Sequence, residues 1–191
     1  MPISRVLGTG LLFAVLTAAC PATLPEDLRE GDLVVRTTDS LLSLLSLSLS
    51  ESDRRFSHVG ILVKSGGEEW LVIHARPGED NQPGVIGEPL ETFLAPALRR
   101  GYYRLRISDG EALSLSRRAV EWQSQGIPFD HQFDLSNDHA LYCTELIWKL
   151  VREDLGVDMV PEKSIIRGRL ALTMQDLLQS PMLDEFPGHT P

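Results

Sequence analysis

The chain has 191 residues, of which 42% are hydrophobic and 24% charged, and its net charge is −9. Those values describe one folded domain with ample apolar material for a core, and they exclude a disordered chain. The acidic balance lacks the basic footprint of a general nucleic-acid binder and reads as a solubility feature.

In chain order, Met1 to Cys20 carries one basic residue, Arg5, then the apolar run Leu11–Leu16, then Thr17-Ala-Ala-Cys20. This is the layout of a secretory signal, and its apolar run is too short to span a bilayer. A cysteine after small residues resembles a bacterial lipobox, with Thr17 standing where an aliphatic residue is usual. Cys20 is therefore the expected lipidated first residue of a mature, exported, membrane-anchored chain, with ordinary cleavage of the leader to a periplasmic protein as the alternative. Removing Arg5 with this leader takes the net charge from −9 to −10. The expected organisation is a leader over 1–19, a tether over 20–27, a hydrolase domain over 28–183 and a flexible tail over 184–191.

Gly31-Asp32 reads as a turn and Leu33–Arg36 as a short strand. Thr38-Asp39-Ser40 supplies cap oxygens for a helix from Leu41 to Ser50. That stretch contains only Leu and Ser. Leu41, Leu44, Leu45 and Leu49 share one helical face, whose expected role is core cover, with the wall of an acyl-binding groove as the alternative.

Ser57–Lys64 and Glu68–Ala75 are rich in strand formers and flank Ser65-Gly66-Gly67, so a hairpin with a three-residue loop is expected. A rung between Lys64 and Glu68 sets Gly60 against Val72, Leu62 against Trp70 and His58 against His74. Paired residues share a sheet face, so two histidines are expected side by side. Pro77–Pro89 reads as a loop with a short strand at Val85–Ile86, and Leu90–Leu98 as a short helix. A strand over Tyr102–Ile107 and a helix over Glu111–Gln125, stopped by Gly126, follow. A further helix runs from Cys143 to Leu155 with Gly156 as its stop, and Thr173 caps a last short helix before Pro181. There is no internal repeat or linker, so the fold class is one α+β domain.

Cys143 is the candidate nucleophile. It opens a helix, where the N-terminus stabilises a thiolate, and the leader removes Cys20 as a disulfide partner. A thiol needs a base, and the base an orienting group. His189 lies in a Pro/Gly-rich tail, His139 before the helix, and His131 in a polar loop. His58 stands in a strand and needs a partner, which His74 supplies. The set is Cys143 as nucleophile, His58 as base and His74 as the group that fixes its tautomer. The backbone N–H of Cys143 faces the oxyanion. An inert buried cysteine beside two surface histidines is the bland alternative. A zinc site from Cys143, His58, His74 and Asp134 is another, without any Cys-x-x-Cys or His-Glu-x-x-His pair to support it.

Gly31-Asp-Leu33, Ser57-His-Val-Gly-Ile61, Ile73-His-Ala75, Pro128-Phe-Asp130 and Tyr142-Cys-Thr-Glu-Leu146, in that order, resemble the circularly permuted papain-like amidases of the NlpC type, in the YiiX/YaeF-like branch. Thr173-Met-Gln-Asp-Leu177 and Ser180-Pro181 resemble the same branch, and the similarity covers about residues 28–183. The resemblance implies an antiparallel sheet packed against the nucleophile-bearing helix. It also implies Cys143, His58 and His74 as the catalytic residues, with no cofactor. Many relatives carry Glu at the third position; His there is similar to the lecithin retinol acyltransferase-like proteins. Tyr142 is expected to pack rather than to assist the oxyanion.

Three functions follow as expectations. The first is a cell-envelope cysteine hydrolase cleaving a peptide or peptidoglycan stem-peptide amide through a thioester. The second is a lipid acyl hydrolase or acyltransferase on the same residues. The third is a non-catalytic, lipid-anchored binding protein.

Overall fold

The computed structural model describes residues 24–78, 83–166 and 168–187. The leader, Cys20 and His189 lie outside the described residues. In chain order the elements are β1 (Leu33–Thr37), α1 (Leu41–Ser48), β2 (His58–Lys64), β3 (Trp70–Ala75), β4 (Val85–Pro89), α2 (Leu90–Leu94) and β5 (Arg99–Leu105). They continue with α3 (Asp109–Gln125), α4 (Cys143–Leu155), β6 (Ser164–Ile166), β7 (Arg169–Ala171), α5 (Met174–Leu178) and β8 (Leu183–Glu185). One antiparallel sheet runs β4-β3-β2-β1-β5-β8, and β6 with β7 forms a separate hairpin. The α+β expectation, with a sheet packed on the Cys143 helix, holds.

The inner strands are apolar on both faces because both faces are covered. Leu33, Val35, Val59, Ile61 and Ile73 pack with Leu115 of α3 and Leu146 and Leu150 of α4. Val34, Leu62, Val72 and Tyr102 pack on the other face with Leu90, Phe93 and Phe186. Each such fully buried side chain contributes about 1.5–3 kcal/mol. Helix α4 is central enough that residues 144–151 are all buried, and Gly156 ends it at φ 70°, a conformation that favours glycine.

The hairpin register differs from the expected one. Ile61 pairs with Ile73 and Lys64 with Trp70, leaving a five-residue loop. Inside that loop Ser65 N–H donates to Glu69 O at 3.3 Å, and Lys64 reaches Glu68 as an ion pair at 3.6 Å rather than as a ladder rung. The Lys64 ammonium also lies 5.1 Å from the Trp70 ring centroid. The shift is two residues, which preserves parity, so His58 and His74 still share a face. Their ring centroids lie 4.9 Å apart, edge to face.

Helix α1 forms as expected, capped by Ser40, but its rotation is the reverse of core cover. Ser43 is buried and Ser50 too, whereas Leu41 is 74% and Leu44 56% exposed. The serine face is held by hydrogen bonds: Ser43 Oγ meets Ser57 Oγ, and Ser46 Oγ donates to Ser57 O at 3.1 Å. The domain limits also shift. Asp27 accepts from Arg104 through both its carboxylate and its carbonyl, so the expected tether is docked there. At the other end β8 pairs with β5, and Phe186 N–H donates to Tyr102 O. The expected tail therefore starts after the sheet's edge strand and not at 184.

Gly60 makes the close approach of the histidines possible. A Cβ there would lie 2.3 Å from Val72 Cγ1 and 3.1 Å from His74 Cβ. Gly60→Ala is expected to destabilise the domain by about 1–3 kcal/mol in urea unfolding, as overpacking does. Gly110→Ala, where a Cβ meets nothing within 4 Å, serves as the control and is expected to leave the midpoint unchanged or raise it.

Candidate active site

Cys143 is the first residue of α4, and its neighbours fix it there. Thr144 Oγ1 donates to Leu172 O at 2.6 Å. The fully buried Glu145 accepts from the Tyr142 N–H at 3.4 Å and lies 3.2 Å from the Lys149 ammonium. Burial pushes the Glu145 carboxyl up to about 7, against the pull of Lys149. Pro128-Phe-Asp130 holds the segment just before. Leu141 N–H donates to Pro128 O, and Asp130 N–H to Leu141 O. The Asp130 carboxylate accepts from the N–H groups of Gln132 and Asp134. Tyr142 packs as expected: it is 3% exposed, its ring lies against Phe133, and its hydroxyl accepts from Leu172 N–H at 2.8 Å.

The thiol itself departs from expectation. Burial pushes Cys143 up to about 11, although hydrogen bonds with the backbone of Val59, Thr144 and Cys143 itself pull the other way. Desolvation of the anion outweighs the favourable helix end. The resting group is a neutral thiol.

The histidines form a directional chain. His58 Nε2 lies 2.8 Å from His74 Nδ1, and His74 Nε2 lies 3.0 Å from Glu88 Oε1, its N–H aimed off the line to that oxygen. His58 is lowered well below the usual histidine value, first by burial and then by the nearby His74, Arg36 and Arg76. His74, fully buried, is lowered by the same desolvation, opposed by Glu88. Glu88 is lowered chiefly by its contact with His74, so it is a carboxylate. A carboxylate accepts only, which assigns the His74 proton to Nε2. His74 Nδ1 then accepts from His58 Nε2–H, and His58 Nδ1 is left with a free lone pair. Phe93 braces both rings, with centroids 5.6 Å from His58 and 5.2 Å from His74.

Glu88 was absent from the sequence-based set. Only Val85–Ile86 reads as strand from its residues, whereas β4 runs to Pro89 and sets Glu88 against Val72. Continuing the strand by two residues would have placed this acid on the histidine face.

Cys143 and His58 line one pocket of about 360 Å³ at the start of β2. They reach it from different sides. Cys143 packs with the α3/α4 core, whereas His58 and His74 sit on the face of Val72 and Phe93. Their ring and thiol share the cavity without a direct hydrogen bond in the resting structure. Asp134 is elsewhere, paired with Arg169 at 3.2 Å. His131 rests on the Phe129 ring and His139 is exposed.

A profile of the family described as "permuted papain-like amidase enzyme, YaeF/YiiX, C92 family" matches residues 27–185. The chain belongs to this family. It is accordingly a cysteine amidase-type hydrolase, with histidine-bearing strands before the cysteine-bearing helix in chain order. The "Uncharacterized protein YiiX" of Escherichia coli strain K12 is 24% identical over 149 residues, covering 77% of this chain and 68% of that protein. The crystal structure of a metalloprotein yiiX from Escherichia coli O157:H7 superposes with a TM-score of 0.69 at 20% identity, covering 83% of this chain and 96% of that one. At that identity the superposition shows a shared fold.

Three outcomes follow from the electrostatics. Because the thiol is raised, alkylation of Cys143 by iodoacetamide should rise towards a midpoint near 11; a plateau already reached at neutral pH, read by mass spectrometry, contradicts this. Because His58 is lowered, it stays a free base below 6.5, so the acid limb of kcat/KM should fall below that pH. Glu88→Ala removes the group that sets both tautomers, and kcat should drop roughly 10–100-fold, as loss of an outer-shell partner does, with KM little changed.

Proposed function

We propose that this protein is a cysteine amidase acting on amides with an apolar acyl group, with Cys143 as nucleophile and His58 as general base and acid. The observation that supports the acyl preference is the pocket wall. Leu42 and Leu45 of α1 and its capping residue Leu49, with Phe129, Phe133 and Met174, line the cavity shared by Cys143 and His58. An apolar wall of this kind suits an aliphatic acyl chain better than the charged stem peptide of peptidoglycan. Leu45 is 53% and Leu49 40% exposed, so the wall is open at its outer edge.

In the proposed reaction Cys143 Sγ attacks the amide carbon while its proton passes to His58 Nδ1. The oxyanion is met by the Cys143 backbone N–H at the start of α4. The C–N bond breaks as the amine takes that proton from His58, leaving a thioester. Water then attacks, giving a proton to His58, and the thiol leaves with it, so the products are a free acid and an amine. His74 and Glu88 keep the His58 Nε2–H engaged, so Nδ1 is the nitrogen that takes and returns the proton. A neutral thiol and a neutral imidazole suffice, because the proton moves only as the sulfur–carbon bond forms.

A resident metal does not fit these residues. The solved neighbour is called a metalloprotein, but here the two facing histidine nitrogens are 2.8 Å apart and bonded to each other. Two nitrogens on one tetrahedral zinc stand roughly 3.3 Å apart. Among the described residues no group of three His, Cys, Asp or Glu side chains could hold an ion. We also propose that the chain is exported and held at the cell envelope through Cys20, on the strength of the leader pattern in residues 1–20. Among the described residues no helix is long and apolar enough to cross a membrane.

Incubation with N-acyl amides of increasing chain length should leave an acyl adduct on Cys143, visible by intact mass, and kcat/KM should rise with chain length. Cys143→Ala should lose at least about 10³-fold in rate while unfolding at the same temperature. Faster turnover of a stem peptide than of any acyl amide would overturn the acyl reading.

A further inference from the structure

The base is flanked by two arginines. Arg36 pairs directly with His58 across β1 and β2. On the other side Arg76 directly follows Ala75, the last residue of β3. Arg36, His58 and Arg76 all line the pocket that holds Cys143. In a chain of net charge −9, this wall carries two guanidinium groups.

The two are not equally compensated. Arg36 donates to Phe93 O, lies over the Phe93 ring at 4.0 Å and stands 3.9 Å from Glu88. That same Glu88 is engaged by His74. Arg76 forms no ion pair with any described residue, and its Nε is buried without a hydrogen-bond partner, as is that of Arg36. Buried guanidinium donors are costly to leave unmet, and a planar fork of donors fits a planar anion. Structural arginines bury their donors on carbonyls or carboxylates; Arg76 lines the cavity with its Nε unmet.

The position says which part of the substrate is addressed. His58 must hand its proton to the departing amine, so whatever lies beside His58 belongs to the amine side of the amide. The leucines of α1 take the acyl side. We propose that Arg76, assisted by Arg36, binds an anionic group carried on the amine portion of the substrate, close to the amide nitrogen. The substrate class is then an N-acyl amino acid or an N-acyl phosphoamine: apolar at one end, anionic at the other, with the scissile bond between. This rests on the acyl-amide reading and sharpens it. Arg76 is a specificity-determining residue in this account, not a catalytic one.

Three amides separate the possibilities: N-decanoylglycine, N-decanoyl-phosphoethanolamine and the neutral N-decanoylglycinamide. The wild-type protein should favour at least one anionic amide over the neutral one by about tenfold or more in kcat/KM, the size of one charge-assisted contact. The carboxylate and phosphate arms tell which anion the fork fits. In Arg76→Met the anionic-over-neutral ratio should collapse towards one, through KM rather than kcat, and Arg76→Lys should recover part of it. A wild-type ratio near one, or a ratio unchanged in Arg76→Met, overturns the proposal. Calorimetry on Cys143→Ala keeps it testable without turnover. The anionic amides should bind about tenfold more tightly than the neutral one, and adding Arg76→Met should abolish the difference; equal binding, or none, overturns the anion site. If anionic discrimination is present in binding but no amide is cleaved by the wild-type protein, the acyl-amide reading fails and the anion site stands. Arg76→Gln replaces Arg76→Met should the latter not fold.

Discussion

The site depends on one contact, the 2.8 Å bond between His58 Nε2 and His74 Nδ1. Two imidazoles at that distance are compatible only if one nitrogen donates and the other accepts. A second proton on His74 would set two donors against each other, and one on His58 makes a buried imidazolium that Arg36 and Arg76 oppose. Most of what surrounds the pair keeps it neutral, and Glu88 keeps it directed. Burial penalises the imidazolium, Arg36 and Arg76 oppose it further, and Glu88 fixes which nitrogen of His74 carries the proton. The result is a base whose lone pair is assigned by the far end of a three-residue chain. The thiol follows the same logic, since its burial favours the uncharged form. The Cys143 thiol and the His58 imidazole are both uncharged at rest.

That contact was legible in the sequence through parity and not through register. The alternation of Ser57–Lys64 and Trp70–Ala75 puts both histidines on one face for any even shift of the hairpin, so the expected pairing was off by two residues and the consequence survived. Turn chemistry could not fix the shift, because Ser65-Gly66-Gly67 suits a short loop as well as the five-residue one that Lys64 and Trp70 close. The helix over Cys143–Leu155 was legible because apolar spacing, a Glu near its start and a terminal Gly agree. Glu88 was not, since a single acid before a proline gives no periodic signal. Nor were β6, β7 and β8, three residues each, too short to carry any alternation.

Helix α1 shows a different limit. Its periodicity marks a helix without ambiguity, but two stripes share that period. Leu41, Leu44, Leu45 and Leu49 form one; Ser43, Ser46 and Ser50 form the other at spacings of three and four. Hydropathy alone assigns the leucine stripe to the interior. The structure does the opposite because the start of β2 presents polar groups there: the hydroxyl and carbonyl of Ser57, which Ser43 and Ser46 satisfy. Leaving them unmet in a buried place costs more than leaving a few leucines in water.

The inversion links the fold to the chemistry. Turning the leucines inward would have closed the end of the sheet where His58 begins β2, with apolar side chains over the base and no cavity beside Cys143. Turning them outward sets Leu42, Leu45 and Leu49 along the rim of that cavity instead, while the serine bonds keep α1 tied to the residue next to His58. The helix is thus anchored by its polar face to the strand that carries the base, and its apolar face is available to a substrate. Arg36 of β1 and Arg76, just past the end of β3, line the same cavity as His58. An amide lying with its acyl group along α1 and its amine against the arginines crosses the space between His58 and Cys143. That orientation requires nothing beyond the polarity of the two walls.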